Sequence, residues 1–350
     1  MRLLKVCTLL AAMTGFSTAQ AEEEHIIPSP DDACGVMHKG SAVFNDDSRA
    51  WGTRFRSFQS YKPCTSTGAE GMPVVFALHY TTGSGAKMAN KSKYNALADK
   101  KGFMVIYPDA AGFFGMFNDG REDDATQPND VEFLKQLKTL FLEEFNTPGN
   151  VRLNANRFYL TGAAAGAALV NSMACQSPDT FAAYAPVSSS LAERIAVQCQ
   201  TSVNLMLTIG SDDEHNTLCA STELTEDQDF CDTTVNTDIS GRSDQANKKL
   251  TFLQLREQWL DQMQCTNVLE NANNKPDFTI TTHDRKWWEW NFKATTVHHY
   301  KYSCESGAFE LNLVVNGGHQ WYGHVIGAGS GENTKAIDAT EATWEFMSQF

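Results

Sequence analysis

The sequence predicts an α/β protein built on a mainly parallel sheet with helices on both faces. Three observations carry this. Short apolar runs at 74–79, 103–107, 157–160, 181–187, 203–209 and 310–315 are bounded by Gly, Pro or Asp, the signature of strands buried on both faces. Between them lie segments with helical spacing. The clearest is 129–145, where Val131, Phe133, Leu134, Leu137, Leu140, Phe141 and Phe145 recur at helical intervals. Strands alternating with helices imply crossover connections, and crossovers imply parallel pairing.

The elements follow in order. Residues 22–70 are polar and punctuated by Gly, Pro and Asp. Within them 53–60 alternates loosely, as an edge hairpin covering one side of the sheet would. The run 74–79 ends in a loop at 80–85, and 94–101 suits a short helix. Strand 103–107 stops at Pro108 and Asp109. Helix 129–145, strand 157–160, a glycine-flanked turn and an Ala-rich helix to about Cys175 come next. Strands at 181–187, 203–209 and 310–315 and a closing helix at 336–347 complete the set. Residues 212–244 break the rhythm: they are acidic, hold Cys219 and Cys231, and lack long apolar runs. They predict an insertion or lid beside a site. A single domain over 22–350 accommodates all of this.

Residues 1–21 read as an export signal. Arg2 and Lys5 precede an apolar stretch at 6–16, and Ala19, Gln20 and Ala21 form a small-x-small cleavage site. The apolar run is too short to span a bilayer, so a secreted, extracellular protein is expected. Losing Arg2 and Lys5 takes the formal charge from −14 to −16. Such a chain is a poor match for nucleic acid or an anionic membrane, and neither is expected as a partner. Cys34, Cys64, Cys175, Cys199, Cys219, Cys231, Cys265 and Cys304 make an even set beyond Cys7, which in an exported chain implies disulfides. Sequential pairing is the simplest scheme. Cysteine and histidine spacings do not suit zinc, and the acidic stretches do not space like a calcium loop; neither metal nor cofactor is expected. Asn90, Lys91 and Ser92 form a glycosylation sequon, relevant only in a eukaryotic secretory route.

The chemistry turns on Gly162, Ala163, Ala164, Ala165 and Gly166. Strand, tight turn and helix with glycines at those two places is the layout in which Gly-x-Ser-x-Gly lifts a serine Oγ off a parallel sheet in α/β-hydrolases. Position 164 is alanine, and a methyl group cannot attack a carbonyl. In that fold the acid follows a late strand and the histidine follows the last strand. Strand 203–209 runs into Asp212 and Asp213, and strand 310–315 runs into His319. Either aspartate would orient the imidazole, and His319 would serve as general base and then acid. The backbone N–H of Ala165, with that of Tyr80 or Thr81, would form an oxyanion hole. Trp321, Tyr322 and the cluster Trp287, Trp288 and Trp290 offer faces for sugar or phenolic rings, with core packing as the competing reading.

Several blocks point one way: Pro73-Val-Val-Phe-Ala-Leu-His79, residues 97–108, Asn129-Asp-Val-Glu-Phe133, Asn156-Arg-Phe-Tyr-Leu-Thr-Gly162, residues 181–186, Gly317-Gly-His-Gln-Trp321 and residues 337–346. Over about 72–350 the chain resembles the secreted esterase family that joins polyhydroxybutyrate depolymerases with feruloyl and acetylxylan esterases. The resemblance implies an α/β-hydrolase fold, the nucleophile position at Ala164, the acid at Asp213, the histidine at His319 and a Cys265–Cys304 disulfide. Three departures stand out: Ala164 for serine, His79-Tyr80 where the family has His-Gly, and Trp321-Tyr322-Gly323 where it has Trp-Pro-Gly. The expected function is that of an esterase-family protein that has lost its nucleophile and keeps a cleft for an ester-bearing small molecule, a polyester or an acylated polysaccharide. The alternative is an active carboxylic ester hydrolase whose serine was engineered to, or misread as, Ala164.

Overall fold

The computed structural model describes residues 26–46, 52–65, 70–122, 126–148, 151–219, 248–266, 278–282, 295–323 and 332–350. Among these, eleven strands form one sheet, ordered β1-β2-β4-β3-β5-β6-β7-β11-β10-β8, with β9 also on β10. The strands are β1 Met37–Asp46, β2 Gly52–Tyr61, β3 Met72–Leu78, β4 Met104–Pro108, β5 Leu153–Ala163, β6 Ala183–Val187, β7 Asn204–Gly210, β8 Cys265–Thr266, β9 Phe278–Thr282, β10 Thr295–Cys304 and β11 Ala308–Val315. The six central strands, from β4 through β3, β5, β6 and β7 to β11, all pair in parallel. Antiparallel strands flank both sides. The expected mainly parallel α/β architecture is thus present.

The helices are α1 Gly85–Ser92, α2 Tyr94–Lys101, α3 Asp130–Phe145, α4 Ala165–Gln176, α5 Glu193–Ala196, α6 Phe252–Gln262 and α7 Ala339–Met347. The pleat decides which strand side chain meets which helix. Val74, Phe76 and Leu78 of β3 join a core with Phe133, Leu137, Leu169 and Trp259, from α3, α4 and α6. Val75 and Ala77 face the other way and pack with Met88, Tyr94, Leu97 and Trp344, from α1, α2 and α7. Every residue of β3 is buried, as a central strand covered on both faces requires.

The N-terminal hairpin β1–β2 seals one side of the sheet, with β2 lying against β4. The expected edge hairpin at 53–60 is present as β2 paired with β1, which is the outermost strand. The expected loop at 80–85 gives way at Gly85 to helix α1, over residues to which the sequence assigns no element; the Ser84 hydroxyl accepts from Lys87 N–H at its N-cap. Disulfides Cys34–Cys64, Cys175–Cys199 and Cys265–Cys304 match the sequential scheme. Cys219 is also disulfide-bonded, while Cys231 lies outside the described residues. The export signal, most of the 212–244 insertion and the cluster at Trp287, Trp288 and Trp290 lie outside them as well.

Candidate active site

The turn after β5 is built by close packing. A Cβ on Gly166 would lie 2.7 Å from the carbonyl oxygens of Leu78 and His79, and one on Gly162 would lie 2.8 Å from the Gly166 carbonyl carbon. Two glycines are therefore needed for α4 to start directly against the end of β3. Between them the chain reverses within one residue: Ala164 has φ 51° and ψ −113°, a region that strains any residue with a side chain. Its N–H donates to Val187 O (3.1 Å) and its carbonyl accepts from Ala168 N (2.9 Å), so both neighbouring elements hold the bend. This is the sharp strand-to-helix turn expected at 162–166.

Asp213 and His319 meet. The His319 Nδ1–H donates to the Asp213 carboxylate at 2.9 Å, which leaves Nε2 as the nitrogen able to move a proton. Asp213 is buried. Its Oδ1 also accepts from His215 N (2.8 Å) and Asn216 N (3.1 Å), and its Oδ2 accepts from Asn216 Nδ2 (3.1 Å). Asp212, the other sequence candidate, takes a different part: its backbone N–H donates to Gly317 O (2.9 Å). With Ser211 N to Val314 O (3.0 Å) and Asn316 N to Ser211 Oγ (2.7 Å), that bond laces the loop after β7 to the loop after β11. The imidazole and its carboxylate are thus fixed to each other through their loops as well as directly.

Ala164 and His319 line one cavity of about 710 Å³. Its wall includes Tyr80, Thr81 and Ala165, the residues expected to supply oxyanion amides. His79, just before them, is buried and pinned: Nε2 accepts from Ala110 N (3.0 Å), so Nδ1 carries the proton and donates to Tyr80 O (2.8 Å). Burial holds its pKa below the usual histidine value, despite the carbonyl and nearby Asp109 and Asp130 pulling upward. A neutral imidazole therefore braces the turn at residues 80–83. Lys91 Nζ lies 4.8 Å from the centre of the Tyr80 ring, so the tyrosine that departs from the family pattern packs against a buried cation.

Trp321 and Tyr322 differ from the stacking surface expected of them. Trp321 is 1% exposed, its indole N–H donates to Thr340 Oγ1 (3.0 Å) and its ring sits edge-on to Tyr94; it contributes wall rather than an open face. Tyr322 is fully buried, and its hydroxyl donates to Gly318 O (2.6 Å). That hydroxyl occupies the space a Cβ on Gly210 would need. Its work is to clamp the His319 loop onto the end of β7. Aromatic identity next to a histidine reads as ligand contact in sequence, but burial overrides it here.

Sequence reasoning missed the cavity's polar wall: Lys91, Arg121, Ser188, Ser189, His215, Asn216 and Lys249. They arrive from five separate segments with no shared spacing. Arg121 is delivered by a loop that the buried Arg56–Asp130 pair (2.6 Å) anchors, since Asp130 Oδ2 also accepts from Asn118 N (2.6 Å). Lys249 donates to Ser189 Oγ (2.9 Å). Among the described residues no group of His, Cys, Asp and Glu side chains is arranged to hold a metal ion.

The family model described as Esterase PHB depolymerase matches residues 56–220. A probable acetylxylan esterase A from Aspergillus clavatus is 31% identical over 120 residues, covering 31% of this chain and 34% of that protein. Poly(3-hydroxyalkanoate) depolymerase C from Paucimonas lemoignei is 28% identical over 164 residues, covering 45% of this chain and 36% of that protein. The matched segment thus spans about a third of the length of these curated relatives. Among solved structures, an acetyl xylan esterase from Aspergillus awamori superimposes with a TM-score of 0.52 at 14% identity, covering 90% of this chain and 99% of the other; at that identity it shows a shared fold. The fold is that of the α/β-hydrolases, and residues 56–220 are similar to the Esterase PHB depolymerase family.

Proposed function

We propose that the protein is an exported esterase-family member that binds an ester-bearing small molecule, polyester or acylated polysaccharide and hydrolyses it extremely slowly or not at all. One observation carries this. The strained turn, the Asp213–His319 pair and the candidate oxyanion loop surround a single cavity, and the side chain presented at the turn is the methyl of Ala164. His319 then has a carboxylate to orient it but no hydroxyl at position 164 to deprotonate. What remains is a cleft with oriented amides, which still favours binding and at best directs water at a carbonyl. Loss of a triad serine lowers kcat by about 10⁶, with a residual of about 10³–10⁴ over water. Export is supported by the disulfides and by the leader-like residues 1–21. No described helix is long and apolar enough to cross a membrane.

A second reading is favoured by the same Asp213–His319 hydrogen bond, which would be complete machinery in an active carboxylic ester hydrolase whose serine was altered to Ala164. The codon at position 164 in the source gene separates the two. The direct experiment compares the chain with its Ala164→Ser variant on p-nitrophenyl acetate and methyl ferulate. The Ser variant is expected to gain at least ~10³ in kcat/KM, and adding Asp213→Asn to it should remove about 10⁴ of kcat. Turnover by the Ala164 chain at the rate of an ordinary serine esterase would overturn the proposal.

A further inference from the structure

We infer that the cavity takes a ligand carrying a carboxylate close to its ester, with Lys249 and Arg121 on one wall receiving the negative group. The inference rests on the reading of this cavity as the ligand site and adds the ligand's charge to it. It is independent of whether the site turns over.

The argument starts from a mismatch of sign. The chain carries a formal charge of −14, yet the described residues lining the cavity include Lys91, Arg121 and Lys249 and, among them, no aspartate or glutamate. Two described carboxylates, Asp213 and Asp119, are buried and engaged. Asp213 is 1% exposed and holds His319; Asp119 is 4% exposed and accepts from Arg121 Nε (2.9 Å). A cavity for a neutral acetyl or alkyl ester has no need of three cations, and gathering them costs desolvation and mutual repulsion.

Lys249 shows that cost. The residue is half-buried, and its ammonium donates to Ser189 Oγ. Burial, with the Arg121 guanidinium adding to it, pushes its pKa down to about 8, against the opposing pull of Asp119 and Asp213. Arg121 is paired with Asp119 (2.8 Å), so burial rather than repulsion is what disfavours the Lys249 ammonium; both cations line a space of about 710 Å³, where a bound anion offsets that cost. Charge-assisted hydrogen bonds from ammonium and guanidinium to a carboxylate are the strong kind, and guanidinium adds a planar fork. Ser189 follows Ser188, whose neighbour Val187 accepts from Ala164 N. The Lys249 end of the cavity therefore adjoins the turn, and the anionic group would sit near the bond that a serine at position 164 would attack.

Two ligand sources share this chemistry: the free carboxyl end of a 3-hydroxyalkanoate oligomer, and the carboxylate of an acidic sugar beside an acylated hydroxyl. The test is equilibrium binding by calorimetry to the full chain. One arm uses 3-hydroxybutyrate trimer and its methyl ester; the other uses a glucuronate-bearing xylo-oligosaccharide and its methyl ester. The acid of at least one pair should bind ~10-fold or more tightly than its ester. Added salt should shrink that preference, and Lys249→Gln and Arg121→Gln should each reduce it. Thermal melts of both variants check that they are folded. Equal affinity for acid and ester in both pairs, no binding of any probe, or a preference that survives both substitutions would overturn the inference. Turnover of neutral p-nitrophenyl acetate by Ala164→Ser, run in parallel, tells the two levels apart. If it appears without an acid preference, the ligand's charge is misassigned; if it is also missing, the reading of the cavity fails.

Discussion

Ala164 keeps a backbone conformation that only a nucleophile would normally justify. A φ of 51° with ψ −113° costs a residue with a Cβ about 1–3 kcal/mol. Nothing in its own side chain returns that energy, because the methyl donates and accepts nothing. Ala164→Gly should therefore raise stability by about 1 kcal/mol, the released strain less the extra chain entropy of glycine. The urea midpoint measures it, and a decrease would show that the bend is unstrained. The residue 164 turn was readable from Gly162 and Gly166 because both glycines have a steric cause: each faces backbone or side-chain atoms within 3 Å of where a Cβ would stand. Asp213 and His319 were readable by their places after strands. Lys249 and Arg121 were not, because their roles come from a half-buried position that no local pattern encodes. Tyr322 was misread for a related reason, since a buried tyrosine and a ligand-facing one look alike in a sequence.

At the level of elements, legibility followed burial. The helix at α2, the strands at β3, β4, β6 and β7, and helix α3 lie within a residue or two of their apolar runs or helical periods, since each presents an apolar run or face to a core. Strand β10 was missed. It carries His298, His299 and Lys301 beside buried Val297, Tyr300 and Tyr302, so its apolar signal is diluted. Helix α6 was missed too, although it buries Phe252, Leu255 and Trp259 around a buried Arg256. Its start is set by a capping box: Thr251 Oγ1 accepts from Gln254 N (3.1 Å) and Gln254 Oε1 accepts from Thr251 N (3.0 Å). Removing the hydroxyl with Thr251→Ala should cost about 1 kcal/mol, read as a shift in the denaturation midpoint. Because Lys249 lies two residues before that cap, the same variant reports whether the helix start also steadies the cationic wall.

Across the whole molecule, three disulfides among the described residues reinforce separate regions. Cys34–Cys64 ties the segment before β1 to the end of β2, Cys175–Cys199 joins α4 to the segment after α5, and Cys265–Cys304 joins β8 to β10. Sequence separations of 30, 24 and 39 imply about 3–4 kcal/mol each from the restricted unfolded chain. Complete reduction should lower the melting temperature markedly in a scanning experiment with and without dithiothreitol, and an unchanged melting point would show that the sheet alone sustains the fold. The three described disulfide pairings were legible as sequential order, while the sheet's far side was not, because β8, β9 and β10 come together only through long-range pairing. The bend at position 164 is imposed by how α4 abuts β3, independently of what chemistry the bend serves. Serine and alanine codons differ by one base. On the proposed reading, a lineage carrying this gene thus stands a single point mutation from a hydroxyl facing the same cavity as His319.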